Sequence, residues 1–277
     1  MSLKKGNKIA VITGGSRGIG FSIAKILAKE KYNIVICSRN ENELMKAKLK
    51  LEEFGVTCLA LKVDVSDFRH CYNLVKKTIE KFSRIDLLVN NAGIQGPIGS
   101  LWKNGLKDWE KTIRINLLGT FYMCHFVIPY MLKQKSGKII NFSGGGSVYA
   151  RPLFSAYACS KAAILRLTDT LQEELKGKNI FVHAIAPGTV WTQMAMEALK
   201  AKRKKLLNKE TIYELKLAQK TGGTPISKFE KLIKYLITRD SKILAGRLIH
   251  VNELDDLLKK KTKIKEDGGK LRRITYT

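Results

Sequence analysis

The sequence has no Cys-x-x-C pair, no histidine grouping with ligand spacing and no apolar run longer than a strand. Cys37, Cys58, Cys71, Cys124 and Cys159 stand far apart, as expected of reduced thiols and not of a disulfide framework or a zinc site. His70, His125, His183 and His250 read as ordinary structural histidines, so no metal is expected. Residues 1–7 are polar and the first strand begins near Ile9, which leaves neither a signal peptide nor a membrane span. Together these absences point to a soluble, cytoplasmic protein.

Acidic residues are also scarce: 24 Asp and Glu against 51 Lys and Arg give a formal charge of +27. Such an excess suits nucleic acid, an anionic membrane surface or an acidic ligand. The densest basic runs, 202–205 and 259–261, carry no interleaved aromatics and no groove-reading motif. General lysine richness is therefore the first explanation, an anionic substrate or cofactor the second, and neither nucleic acid nor membrane is an expected partner.

What is present is a chain of 277 residues, 44% hydrophobic, with no linker that would divide it. It is long enough for one large α/β domain. The apolar run Ile9 to Ile12 leads into Thr13-Gly14-Gly15-Ser16-Arg17-Gly18-Ile19-Gly20, followed by an amphipathic run through Ile23, Ile26 and Leu27. Strand, glycine turn and helix together form a phosphate site, because glycine lets the backbone approach the anion and the helix N-terminus offers free N–H groups. The spacing G-x-x-x-G-x-G differs from the common G-x-G-x-x-G.

A second strand, Asn33 to Cys37, ends in Ser38-Arg39, where a dinucleotide fold meets the adenosine ribose. No acid stands at 37–39 to accept from a 2′-hydroxyl, whereas Arg39, with Arg17 nearby, suits a 2′-phosphate. NADP is expected over NAD. Further strands are predicted at 57–63, 85–89, 138–142, 180–185 and 246–251, with helices near 41–54, 71–82, 106–132, 157–176 and 226–237. Alternation of this kind implies right-handed crossovers and a parallel sheet with ligands at the strands' carboxyl ends. Thr13, Arg39, Asp64 and Asn91 all fall at such ends.

Tyr157-Ala158-Cys159-Ser160-Lys161 opens one of the predicted helices. Residues i and i+4 share a helical face, so the phenol and the ammonium can meet, and a nearby cation stabilises a phenolate. The pair is a candidate acid/base.

These motifs in this order, TGGSRGIG at 13–20, Asp64, NNAG at 90–93, Asn116, YACSK at 157–161 and PGTVWT at 187–192, resemble a short-chain dehydrogenase/reductase over roughly residues 6 to 252. The resemblance implies a single-domain α/β fold, a Rossmann-like doubly wound parallel sheet over 1–252. Cofactor contacts are implied at Gly14, Ser16, Arg17, Gly18, Ile19, Gly20, Ser38, Arg39, Asp64, Val65, Asn91, Ala92 and Gly93. Pro187, Gly188, Val190 and Thr192 would hold the nicotinamide end, and Lys161 its ribose. Tyr157 becomes the acid/base, Lys161 the group that lowers its pKa, and Asn116 the holder of a water that links the lysine to solvent. Residues 194–224 would form the substrate lid, and the long helices containing Asn116 and Tyr157 would pack a homodimer or homotetramer.

Two departures stand out. The family commonly places a substrate-polarising serine 13 positions before the tyrosine, and that position is Gly144. Ser143 is the expected substitute, with Ser147 or no hydroxyl at all as alternatives. After the last strand, Asn252-Glu253-Leu254-Asp255-Asp256 and a Lys-rich tail replace the usual aspartate and paired glycines. This departure, with the basic tail 253–277, puts in doubt the usual acyl-carrier or simple-alcohol substrate, and the tail would add contacts at a subunit interface or over the active site. The expected function is hydride transfer between NADP(H) and a carbonyl or secondary alcohol. The alternative is a non-catalytic dinucleotide-sensing or interaction protein, favoured by Gly144 and the tail but opposed by the intact Tyr157, Lys161 and Asn116.

Overall fold

Alternate side chains of each central strand enter opposite layers, and both layers are buried. In the first strand Ala10 and Ile12 join one core, while Ile9 and Val11 join the other. In the second, Ile34 and Ile36 oppose Val35 and Cys37 in the same way. Strands buried on both faces are parallel strands with helices on each side. In the computed structural model, which describes residues 7–200, 207 and 209–259, this is the arrangement seen. The run 202–205 and the tail from 260 lie outside the described residues.

Seven strands, β1 (Ile9–Thr13), β2 (Asn33–Ser38), β3 (Cys58–Lys62), β4 (Leu87–Asn90), β5 (Gly137–Phe142), β6 (Ile180–Ala186) and β7 (Leu248–His250), form one sheet in the order β3-β2-β1-β4-β5-β6-β7. Every pairing is parallel, for example Val11 with Val35 and Val11 with Leu88. The order reverses between β1 and β4, which opens the crevice where such sheets bind ligands.

Helices α1 (Gly18–Lys29), α2 (Glu41–Glu52) and α9 (Ile226–Leu236) contribute to one buried layer. Helices α3 (Phe68–Phe82) and α5 (Gly119–Gln134) contribute to the other. Short α4 (Leu106–Ile113) leads into α5, and α6 (Ser155–Glu174) follows β5. The stretch 106–134, read from periodicity as one α-helix, contains a π-helical turn at Arg114–Leu118, with Asn116 inside it. This stretch is long and apolar enough to cross a membrane by length and composition alone; 44% of that window is buried inside the protein, where Met123, Cys124, Val127 and Met131 join the second core.

After β6 the chain forms α7 (Gln193–Lys200) and α8 (Lys209–Thr221), the insertion predicted as a lid. Its ends meet: Val190 bridges Gly223, and Thr224 N donates to Thr189 O at 2.9 Å. β7 is shorter than predicted, and the chain beyond it forms α10 (Leu254–Lys259), burying Leu254 and Leu257 in the main core. The first part of the expected tail is therefore packed against the sheet.

Candidate active site

A single cleft of about 1560 Å³ runs across the carboxyl ends of β1, β2, β4, β5 and β6. At one end lies the glycine turn. Gly14 and Gly18 have φ of +65° and +55°, values that exact glycine, and a Cβ on Gly20 would stand 2.3 Å from the Gly14 carbonyl. Gly20 thus serves turn-to-helix packing and does not line the cleft. Asn91 fixes the turn to β4, donating from Nδ2 to Thr13 O at 3.0 Å and Gly14 O at 3.2 Å. Thr13 Oγ1 in turn accepts from the backbone of Asn91 and Ala92, both at 3.1 Å. The α1 terminus has no side-chain cap, which leaves its first N–H groups free, and Ser16, Gly18 and Ile19 at its start line the cleft. Thr192 lies opposite, its Cγ2 3.8 Å from where a Gly18 Cβ would be.

Ser38, Arg39, Asp64 and Val65 line the same end. Burial disfavours ionised Asp64, but hydrogen bonds from Ser66 Oγ at 2.7 Å and N at 2.9 Å, with the Arg39 charge, hold its carboxyl below the usual range. Arg17 is paired with Glu43 at 3.1 Å, whereas Arg39 forms no ion pair among the described residues. Of the two cations expected here, Arg39 is the one left open. These free donors, bare glycine α-carbons and an unpaired arginine fit a dinucleotide carrying phosphates.

At the other end Tyr157 and Lys161 share one face of α6, with the ammonium 5.6 Å from the centre of the phenol ring. Lys161 is 4% exposed and donates from Nζ to Phe142 O at 2.7 Å, and burial lowers its pKa to about 8. Burial raises the pKa of Tyr157, and the Arg151 charge works against that rise. Helical spacing assigns this electrostatic duty to Lys161; in the structure the cation that lowers the Tyr157 pKa is Arg151.

Asn116 is wholly buried and does not reach Lys161 directly. Its Oδ1 accepts from Ile94 N at 2.8 Å, and its Nδ2 donates to Ile94 O at 2.9 Å and Ser160 Oγ at 3.0 Å. Gly93 lies between the two: a Cβ there would be 3.1 Å from Asn116 Oδ1 and 3.7 Å from Lys161 Nζ. The π-turn supplies the irregular backbone that brings Asn116 inward, a common feature of functional helices.

The glycine-rich loop after β5 is filled, not vacant. Cβ atoms on Gly144, Gly145 and Gly146 would stand 2.5 Å from Tyr157 Oη, 2.8 Å from Tyr149 Oη and 2.9 Å from Arg151 Cβ. Ser143 lines the cleft, but its hydroxyl donates to Lys161 O at 3.3 Å. Ser147 Oγ is buried and has no hydrogen-bond partner among the described residues. Over the phenol, Phe154 gathers Ala195, Ala198, Leu207 and Leu215 into an apolar roof that also touches Tyr157 and Trp191. Pro187, Gly188 and Val190 line the cleft below it, while Thr192 Oγ1 accepts from Ala195 N at 3.4 Å and caps α7. Sequence reasoning missed Arg151 and Tyr149; their place six and eight residues before Tyr157, next to three glycines, was the available signal.

A doubly wound sheet with this cleft at its switch point defines a dinucleotide-binding oxidoreductase architecture. The profile of the short chain dehydrogenase family matches residues 8–203, and the chain belongs to that family of NAD(P)-dependent oxidoreductases. It is 34% identical over 251 residues to the 3-oxoacyl-acyl-carrier-protein reductase FabG of Staphylococcus aureus, covering 90% of this chain and 98% of that one. The FabG of Thermotoga maritima is 30% identical over 88% of this chain and 96% of its own length. Among solved structures, NAD+-bound xylitol dehydrogenase superposes with a TM-score of 0.81 at 27% identity, over 89% of this chain and 98% of that one. An actinorhodin polyketide ketoreductase with NADPH gives 0.80 at 27% identity, over 88% and 95%.

Proposed function

We propose that this enzyme transfers a hydride between NADP(H) and a carbonyl or secondary alcohol, with Tyr157 as the acid/base. The observation that carries this is the placement of Tyr157 and Lys161 in the same cleft as the glycine turn and the unpaired Arg39. The glycine turn with the α1 terminus would bind the pyrophosphate, and Arg39 a 2′-phosphate. NADPH in the ketoreductase relative supports that preference, and NAD+ in the xylitol dehydrogenase marks the other option within the family. When bound, the nicotinamide supplies or accepts the hydride.

The chain's own residues handle the proton and the oxygen. In reduction, Tyr157 Oη gives its proton to the developing alkoxide; oxidation takes it back. Burial favours the neutral phenol, the form that gives up the proton in the reductive direction. Lys161 Nζ, anchored on the Phe142 carbonyl, returns the proton, and Asn116 holds the Gly93–Ile94 backbone and Ser160 along the outward path. Ser147 lines the cleft and its buried hydroxyl is unengaged, so rotation of its side chain would turn that hydroxyl toward the carbonyl, while the hydrogen of Ser143 is already donated to Lys161 O. The apolar roof from α7 and α8 excludes water.

Five unpaired cysteines, four of them buried, fit a reducing compartment and support a cytoplasmic location. Self-association through α5 and α6 fits the exposed Phe121, Tyr130 and Leu132 on α5. The test is NADPH absorbance decay with a panel of ketones, acyl thioesters and keto-sugar nucleotides. Turnover on at least one supports the enzyme; tight NADPH binding with none, and no effect of Tyr157→Phe, supports the sensing alternative.

A further inference from the structure

We propose that Arg151, with the Tyr149 hydroxyl beside it, binds an anionic group, a carboxylate or a phosphate, carried by the substrate close to its reacting carbonyl. This rests on the oxidoreductase reading of the same cleft and names the substrate class it serves. The Arg151 guanidinium lies over the Phe154 ring at 4.2 Å and near the Tyr157 ring at 5.3 Å. Contact of this kind uses the faces of the guanidinium and leaves its N–H edges available. Among the described residues no acid and no hydrogen-bond acceptor engages the Arg151 side chain; Glu214, which lines the same cleft from α8, is not paired with it.

The surrounding chain is built to hold this cation in place. Residue 145 has no room for a side chain of its own: a Cβ there would meet Tyr149 Oη at 2.8 Å and Arg151 Nη1 at 3.4 Å, so both polar groups converge on one point. Leu153 adopts φ +70°, an uncommon conformation for a bulky residue, with its carbonyl accepting from Gly99 N at 2.9 Å. Phe154, next in sequence, is 1% exposed beneath the roof. A strained turn between a buried anchor and a glycine cradle fixes the arginine beside the phenol.

The other cations of the cleft are committed elsewhere. Arg17 is paired with Glu43, Lys161 is bonded to the Phe142 carbonyl, and Arg39 stands at the adenosine end. Arg151 alone among them faces the roofed end without a partner. A cation beside an apolar roof gains most from an anion, since attraction strengthens as water is excluded.

The test uses the full-length protein with saturating NADPH and reads the melting temperature with malonate, inorganic phosphate or, as an ionic-strength control, chloride. Malonate or phosphate is expected to raise Tm beyond chloride in the wild type, less in Arg151→Lys and not in Arg151→Gln. Which anion gives the Arg151-dependent rise separates a carboxylate from a phosphate substrate. In turnover, the ratio of kcat/KM for acetoacetate over its neutral methyl ester, or for dihydroxyacetone phosphate over dihydroxyacetone, is expected to fall at least about tenfold in Arg151→Gln. Equal Tm rises in wild type and Arg151→Gln, or none in either, would overturn the proposal, as would unchanged ratios. Failure of NADPH to bind would instead remove the oxidoreductase reading, while Arg151-dependent anion binding would still be read from the melts.

Discussion

Gly144 sits directly against the Tyr157 hydroxyl: a Cβ on it would lie 2.5 Å from Oη, closer than side-chain carbons approach. A serine at this position, the family's usual spacing, would displace the phenol. Gly144→Ser is therefore expected to lower kcat at least about tenfold, since small misplacements of a reacting group are costly. Steady-state turnover together with a melting curve checks this. Unchanged or improved turnover would mean that Tyr157 has room to move.

The two nearby serines should separate by phenotype. Ser147→Ala removes an unengaged buried hydroxyl and is expected to reduce kcat roughly 100-fold, as for loss of an oxyanion donor. Ser143→Ala removes a hydrogen bond to the Lys161 carbonyl and should cost about 1 kcal/mol of stability with a smaller kinetic effect. Paired kinetics and denaturant unfolding decide, and the reverse order would return the polarising role to Ser143.

Cofactor choice should depend on Arg39. Replacing it with alanine is expected to weaken NADPH binding about tenfold or more, on the scale of a lost charge-assisted hydrogen bond, and to change NADH binding little. Nicotinamide fluorescence titrations measure both. Tighter binding of NADH by the wild type, with the order unchanged in Arg39→Ala, would contradict the assignment.

Lys161 should leave a mark on stability against pH. Burial lowers its folded pKa from 10.5 to about 8, so between those values the unfolded chain binds more protons. Stability from this group therefore rises with pH across that window and is lowest below it. Against Lys161→Met, the wild type should gain up to about 3 kcal/mol from pH 8 to pH 10.5. The comparison is made as a difference because buried Cys37, Cys58, Cys71 and Cys124, raised to about 12, act in the opposite direction above pH 9. A flat difference across the window would show that Lys161 is not desolvated.

Much of the fold was legible because strands buried on both faces read as short apolar runs, and strand-end residues such as Asn91 and Arg39 follow from them. Tyr157 and Lys161 were legible because helical spacing alone puts them on one face. The π-turn at Arg114–Leu118 was not, since one extra residue per turn barely disturbs apolar periodicity. Nor was the crowding of Gly144, Gly145 and Gly146 by Tyr157, Tyr149 and Arg151, which depends on where α6 docks. Helix α10 was hidden in a lysine-rich region, although Leu254 and Leu257, three apart, carried the signal of a buried face. The occupied serine at 143 and the unengaged one at 147 differ only in tertiary partners, so no sequence pattern separates them.

The central claim is that Tyr157 moves the proton. The most direct measurement is the rate of NADPH oxidation with a reducible carbonyl by the wild type and by Tyr157→Phe, with NADPH binding to both verified by fluorescence. Loss of at least about 100-fold in kcat, in a variant that still binds NADPH, is the expected result. A Tyr157→Phe rate within twofold of the wild type would contradict it.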